Sequence, residues 1–331
     1  MKQASIGVIG AGAWGTALAQ MLASDGSKVL LWALETELVE AINRDRRNEL
    51  YLPSAKLAPS IRATGDLAEL AALDIVLVVT PAQHLGRVLR GLPRFPRDIV
   101  LCSKGIEAGS GRMMHDIAQE LAPGSDIAVL SGPTFAHEVA EGLPTAVTLS
   151  CGGGLEQWDR LAPFIAKPTF RPYYSDDLVG AEVGGAVKNV LAIACGVVDG
   201  LKLGQNARAA LISRGYMEMV RFGEALGAKR DTLAGLCGLG DLVLTCSSTS
   251  SRNFSLGKAL GEGQKAQELM RDRRTVAEGA HTAPVLRRLS KDLDVDMPIV
   301  EAVCRLLEGA DAADVAQHML TRPLKAEGSE I

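Results

Sequence analysis

Residues 5–15 read Ser-Ile-Gly-Val-Ile-Gly-Ala-Gly-Ala-Trp-Gly, a short apolar run that leads straight into a G-x-G-x-x-G. Strand, tight turn and helix start in that order describe the first βα unit of a parallel sheet. In such a unit Gly10 allows the turn, Gly12 lets the backbone approach a diphosphate, and Gly15 lets the helix pack closely on the strand. The helix expected over residues 14–24 then aims the amides around Ala13 and Trp14 at the phosphates. Alone, the same loop is also compatible with a glycine-rich packing turn, so the rest of the chain decides.

The first 150 residues repeat the alternation. Apolar runs at 5–9, 28–32, 74–79, 98–102, 127–130 and 145–150 predict strands buried on both faces, with helical patterns between them. A helix is expected over 35–47, broken by Tyr51-Leu52-Pro53, and a short helix and strand follow residue 150. From about residue 176 strand-like runs give way to helical period, as in 207–226, 283–293 and 299–308. The expected fold class is α/β: a Rossmann-type doubly wound parallel sheet over residues 1–175, followed by an all-helical domain over 176–331. A length of 331 residues suits two such domains.

Composition narrows the function. Thirty-five basic against 39 acidic residues give a net charge of −4, which argues against nucleic acid or an anionic membrane as partner. Any anion must be held locally. Six cysteines without a C-x-x-C sit mostly in apolar runs, the pattern of reduced thiols in a cytoplasmic protein. No stretch is read as a membrane span or a signal-peptide core. The histidines at 84, 115, 137, 281 and 318 are scattered and read as isolated surface residues, so no metal is expected.

Several residues carry chemistry. Glu35 lies 20 residues after Gly15, where a carboxylate would hold the ribose hydroxyls of NAD. Leu34 beside it offers no charge to a 2′-phosphate. Arg44, Arg46 and Arg47 either supply one or form a solvated helix end. At the strand ends, where ligands of open sheets bind, stand Thr80-Pro81, Ser103-Lys104-Gly105 and Ser131-Gly132-Pro133-Thr134. Lys104 there is an active-edge cation or an ordinary loop lysine.

The run VGGAVKNVLAIACGVV, sixteen residues from Val183, contains Lys188 as its only charge. A helix apolar on all sides is buried, and a buried lysine needs a partner or a purpose. Its side chain leans over Gly184 and Gly185, which leave room for it, and desolvation would lower its pKa toward the range of proton transfer. The alternative is a lysine that snorkels to the surface. Asp241 follows a glycine turn and could simply cap the helix after it. Ser251, Arg252 and Asn253 open another helix with a hydroxyl, a guanidinium and an amide, which serves equally as a cap or as a phosphate site.

In order and spacing, the blocks GAGAWGTALA, SKGIE, SGPTFAHEV, VGGAVKNVLAIACG, NARAALISRG, GLGDLVLTC, SSRN and EGAHTA resemble those of the bacterial NAD(P)-dependent sn-glycerol-3-phosphate dehydrogenases. The resemblance spans nearly the whole chain. It implies a second domain similar to the C-terminal domain of 6-phosphogluconate dehydrogenase, and reversible reduction of dihydroxyacetone phosphate to sn-glycerol 3-phosphate, a phospholipid precursor. It further implies Lys188 as general acid/base, with Asp241 orienting or tuning it. Lys104, Gly132, Thr134, Lys188, Asp241, Ser251, Arg252 and Asn253 correspond to substrate contacts. Gly10, Gly12, Ala13, Trp14, Gly15, Leu34, Lys104, Ala136, Arg252, Val276 and Glu278 correspond to cofactor positions.

Members of that family usually carry His or Arg where this chain has Leu34, so the cofactor is read as NAD or NADP without a fixed preference. The expected partner is a small phosphorylated substrate, and the expected assembly a homodimer. Two rival functions share features of the sequence. A 3-hydroxyacid or sugar-acid dehydrogenase would bind a carboxylate, against which the Ser-Arg-Asn block argues; a non-catalytic dinucleotide sensor would not need both Lys188 and Asp241.

Overall fold

All six apolar runs of the first half become strands of one sheet in the computed structural model, which describes residues 5–270 and 277–323. The strands are β1 (Ile6–Ile9), β2 (Val29–Trp32), β3 (Arg47–Asn48), β4 (Leu52–Lys56), β5 (Ile61–Thr64), β6 (Ile75–Val78), β7 (Asp98–Leu101), β8 (Asp126–Ser131), β9 (Thr145–Cys151) and β10 (Phe170–Ser175). Eight of them form a sheet in the order β10-β9-β8-β7-β6-β1-β2-β5. From β5 through β8 every pairing is parallel.

Successive residues of the central strands belong to two different cores. Val8, Leu31, Leu77 and Val100 face one, with Leu18 and Met21 of the helix Ala13–Leu22; Ile9, Leu30, Val76 and Ile99 face the other, with Leu85, Leu89 and Ile117. Burial on both faces is why these strands read as continuous apolar runs rather than alternating ones.

The structure differs from expectation in four places. β5 is an additional edge strand, too short and too polar at Arg62 and Thr64 to stand out. The helix expected to reach Arg47 stops at Asp45, where Arg46 turns left-handed at φ 57°, and β3 pairs antiparallel with β4 across Leu52. β9 runs antiparallel to β8, and β10 parallel to β9, so this end of the sheet is mixed. Residues 132–144 reverse the chain between β8 and β9, which an antiparallel pairing allows without a crossover. Finally, the helix Leu178–Gly200 has the length and composition of a membrane span, contrary to the reading that no stretch does. Its most apolar window is 94% buried inside the protein, as befits a core helix.

That helix is the axis of the second half. Asp177 caps it by accepting from the Gly180 N–H at 2.8 Å, and the helices Gly204–Ala225, Asp241–Cys246, Arg252–Gly261, Glu278–Asp292 and Pro298–Leu307 pack around it. Its buried Val183, Val187, Val190 and Leu191 anchor a separate core with Phe222, Phe254, Leu286 and Val303. The six cysteines are all free and buried.

Candidate active site

The glycine loop takes the form its sequence predicts. Gly10 sits at φ +112°, a conformation that side chains rarely adopt, and any β-carbon at Gly15 would overlap the Gly10 carbonyl oxygen. Among the described residues a β-carbon at Gly12 would meet nothing within 4 Å, and no side chain satisfies the first amides of the helix that Gly12 opens. Open space before a ten-residue helix is the cradle a diphosphate fits. The indole Nε1 of Trp14 and the hydroxyl of Thr80 are buried with no hydrogen-bond partner among the described residues. Both adjoin this loop, and both suit a polar ligand.

A residue that sequence reasoning missed secures the loop from behind. Asn48, fully buried on β3, donates to the Ala11 carbonyl at 2.8 Å and to Thr16 Oγ1 at 2.7 Å, and accepts from the Tyr51 N–H at 3.0 Å. Ala136 opens the short helix packed beside the helix Ala13–Leu22. On the ribose side Leu34 is 70% exposed, and Glu35 accepts from Tyr51 Oη at 3.0 Å. Arg44 pairs with Asp45, Arg47 with Glu49, and Arg46 donates to the Ile61 carbonyl at 2.8 Å.

Across the sheet edge, three sequence-predicted residues converge. Lys188, 4% exposed, donates to Asp241 Oδ1 and to Thr245 Oγ1 at 3.1 Å. Lys104 reaches the other carboxylate oxygen, Oδ2, at 3.0 Å. Thr245 closes the group by donating to Asp241 Oδ1 at 3.3 Å; nothing in the sequence marked it beyond its place one helical turn after Asp241. Lys188 therefore does not snorkel, and Lys104 is not an ordinary loop lysine.

Burial lowers the Lys188 pKa to about 7, helped by the neighbouring charge of Lys104 and resisted by Asp241. For Lys104 burial pulls the same way, but Asp241 outweighs it and the pKa rises. One carboxylate thus serves two lysines, of which only Lys188 is poised to release a proton near neutrality.

The room expected above both helix glycines is used differently at each. Gly184 lies directly against the Cys237 carbonyl, whereas the space over Gly185 is bordered by Lys104 and Ser131. The π-helical turn Leu236–Gly240 brings its backbone this close and delivers Asp241 to the lysines. Such turns recur at functional sites.

The Ser-Arg-Asn block divides. Ser251 is a helix cap, accepting from the Phe254 N–H at 3.3 Å. Asn253 is a buried tie: its Oδ1 accepts from the Gly279 N–H at 2.9 Å and its Nδ2 donates to Asn189 Oδ1 at 3.0 Å, leaving one amide hydrogen. Arg252 is exposed. Burial raises the Glu278 pKa, against the opposing charges of Arg252, Lys104 and Lys188, so Glu278 and Arg252 border the same cluster. Gly132 packs on Val147, where a β-carbon would come within 2.9 Å, and Thr134 Oγ1 donates to the Gly132 carbonyl at 3.3 Å. Val276 lies outside the described residues.

His115 is not a surface histidine. Its Nδ1 lies 2.8 Å from a carboxylate oxygen of Glu182, six residues before Lys188 on the central helix, and its backbone N–H donates to the other oxygen at 2.9 Å.

Comparison with known proteins identifies what the chain is similar to. The family models described as the N-terminus and the C-terminus of NAD-dependent glycerol-3-phosphate dehydrogenase match residues 5–154 and 177–317. Proteins named glycerol-3-phosphate dehydrogenase (NAD(P)+) from Erythrobacter litoralis and Novosphingobium aromaticivorans are each 70% identical to this chain. The first match covers 98% of both chains, the second 97% of this chain and 98% of its relative. The crystal structure of glycerol-3-phosphate dehydrogenase from Coxiella burnetii superposes with a TM-score of 0.91 at 39% identity, covering 97% of this chain and 99% of that one.

Proposed function

We propose that this chain, which belongs to the NAD-dependent glycerol-3-phosphate dehydrogenase family, reduces dihydroxyacetone phosphate reversibly to sn-glycerol 3-phosphate with NADH or NADPH. The observation that carries this reading is the buried Lys188–Asp241–Lys104 cluster on the sheet edge that also bears the glycine loop. A dinucleotide sensor would need no such cluster.

In this reading Gly10, Gly12, Ala13, Trp14 and Gly15 hold the dinucleotide phosphates, and Leu34, Ala136 and Glu278 line the cofactor. A reduced nicotinamide, when bound, supplies hydride to the substrate carbonyl carbon. Lys188 gives its proton to the carbonyl oxygen as that oxygen takes on alkoxide character, a role suited to an ammonium with a pKa of about 7. Asp241 orients that ammonium, and Lys104 balances the carboxylate charge. Arg252 and the remaining amide hydrogen of Asn253 take the phosphate, with Gly132 and Thr134 walling the site and Ser251 fixing the turn. Holding the remote phosphate positions the reacting carbon.

We assign the cofactor to residues 1–175 and most of the substrate to 176–331. The product suits glycerophospholipid synthesis, and six buried free thiols suit the cytoplasm. We read the assembly as a homodimer, which light scattering tests directly. The activity is tested by following NADH and NADPH oxidation separately with dihydroxyacetone phosphate. Turnover is expected with at least one; none with either, in folded protein that binds cofactor, overturns the reading.

A further inference from the structure

Ser131 ends β8 on the edge that carries Lys104 and is 5% exposed, yet its hydroxyl has no hydrogen-bond partner among the described residues. Burying a hydroxyl unpaired is unfavourable, so each such group calls for an explanation. Its surroundings supply one. A β-carbon at Gly185 would lie 3.4 Å from Ser131 Oγ and 3.5 Å from Lys104 Cγ. The hydroxyl therefore projects over the bare turn of the central helix, three residues before Lys188, beside the apolar stem of Lys104. The nearby charges are already committed, since both ammonium groups bond to Asp241.

We propose that Ser131 is a specificity-determining residue whose hydroxyl bonds the hydroxymethyl end of the substrate. The inference rests on the function proposed above. Dihydroxyacetone phosphate has three polar groups. The phosphate demands cations and amides, which Arg252 and Asn253 offer, and the reducible oxygen demands a proton donor, which Lys188 offers. The remaining alcohol is neutral and both gives and takes a hydrogen bond, and a serine hydroxyl matches it in both respects. A ketone lacking that alcohol would leave Ser131 unpaired in the complex, the situation in which a polar site discriminates best.

The test compares wild type and Ser131→Ala on dihydroxyacetone phosphate and on hydroxyacetone phosphate, which lacks only the alcohol. Ser131→Ala should lower kcat/KM for the first about tenfold and leave the second unchanged. Its melting temperature should equal or exceed that of wild type, because the hydroxyl bonds none of the described residues. Equal losses on both substrates, no loss on either, or a lowered melting temperature overturns the proposal. A wild type that turns over neither substrate rejects the underlying function instead, and the role of Ser131 with it.

Discussion

Gly184 of the central helix faces the Cys237 carbonyl oxygen so closely that any β-carbon at position 184 would overlap it. Lys188 lies four residues beyond the first and Asp241 four beyond the second, so this backbone contact sets the separation of the ion pair one turn away. Gly184→Ala must push the two segments apart. Overpacking of this kind costs about 1–3 kcal/mol, and turnover should fall more than stability alone explains, because the lysine loses its orienting carboxylate. Thermal melts, kcat and cofactor binding together check this; a variant with lowered stability and normal kcat contradicts it.

The proton donation proposed for Lys188 has a pH signature. The donor must be protonated for reduction, so the reduction rate should fall as pH rises through about 7, while oxidation of glycerol 3-phosphate should rise over the same interval. Asp241 holds the lysine pKa up against burial, so Asp241→Asn should move the midpoint of the reduction profile to lower pH. Lys188→Ala should lose about 10²–10⁴-fold in turnover with cofactor binding intact. A near-normal rate in that variant refutes the assignment.

Much of this site is legible in the sequence because its chemistry is at odds with its surroundings. A single charge in a sixteen-residue apolar run must be paired, used or carried to the surface, and Lys188 stands out on that ground alone. The central strands are legible because burial on both faces demands continuous apolar runs. Asn48 and Thr245 were not legible, since each acts through a partner distant in sequence or through a turn geometry that only the fold creates. Asn253 looked like a ligand residue, yet most of its amide is used to tie Gly279 to Asn189. His115 is hidden for a related reason: its partner Glu182 is 67 residues away in sequence.

Leu34 lies two residues past β2 and is exposed beside Glu35. With Arg44 and Arg47 paired to neighbouring carboxylates and Arg46 bonded to the Ile61 carbonyl, a 2′-phosphate has less to gain here. Leu34→Arg adds a charge-assisted donor, worth about 1.5–3 kcal/mol when it bonds an anion. The NADPH-to-NADH ratio of kcat/KM should therefore rise about tenfold or more, with no change in the constant for dihydroxyacetone phosphate. An unchanged ratio would place the 2′-phosphate elsewhere.

The His115–Glu182 pair joins the helix Met114–Leu121 of the sheet domain to the helix that carries Lys188. Glu182 is 3% exposed, and burial raises its pKa despite His115. Burial also pulls the His115 pKa down, but the Glu182 carboxylate overrides it and the net shift is upward. A histidine raised in the fold binds its proton more tightly there than in the unfolded chain. Its contribution is thus complete below the unfolded value, about 6.5, and is lost as pH climbs through the folded one. His115→Ala strands a buried carboxylate and should destabilise the protein by about 3–5 kcal/mol at pH 6. The penalty should shrink toward higher pH, and His115→Gln, which can still donate to Glu182, should recover part of it. Melting temperatures of the three proteins across pH 6–9 decide the matter: a penalty that does not depend on pH would mean that His115 acts by packing alone.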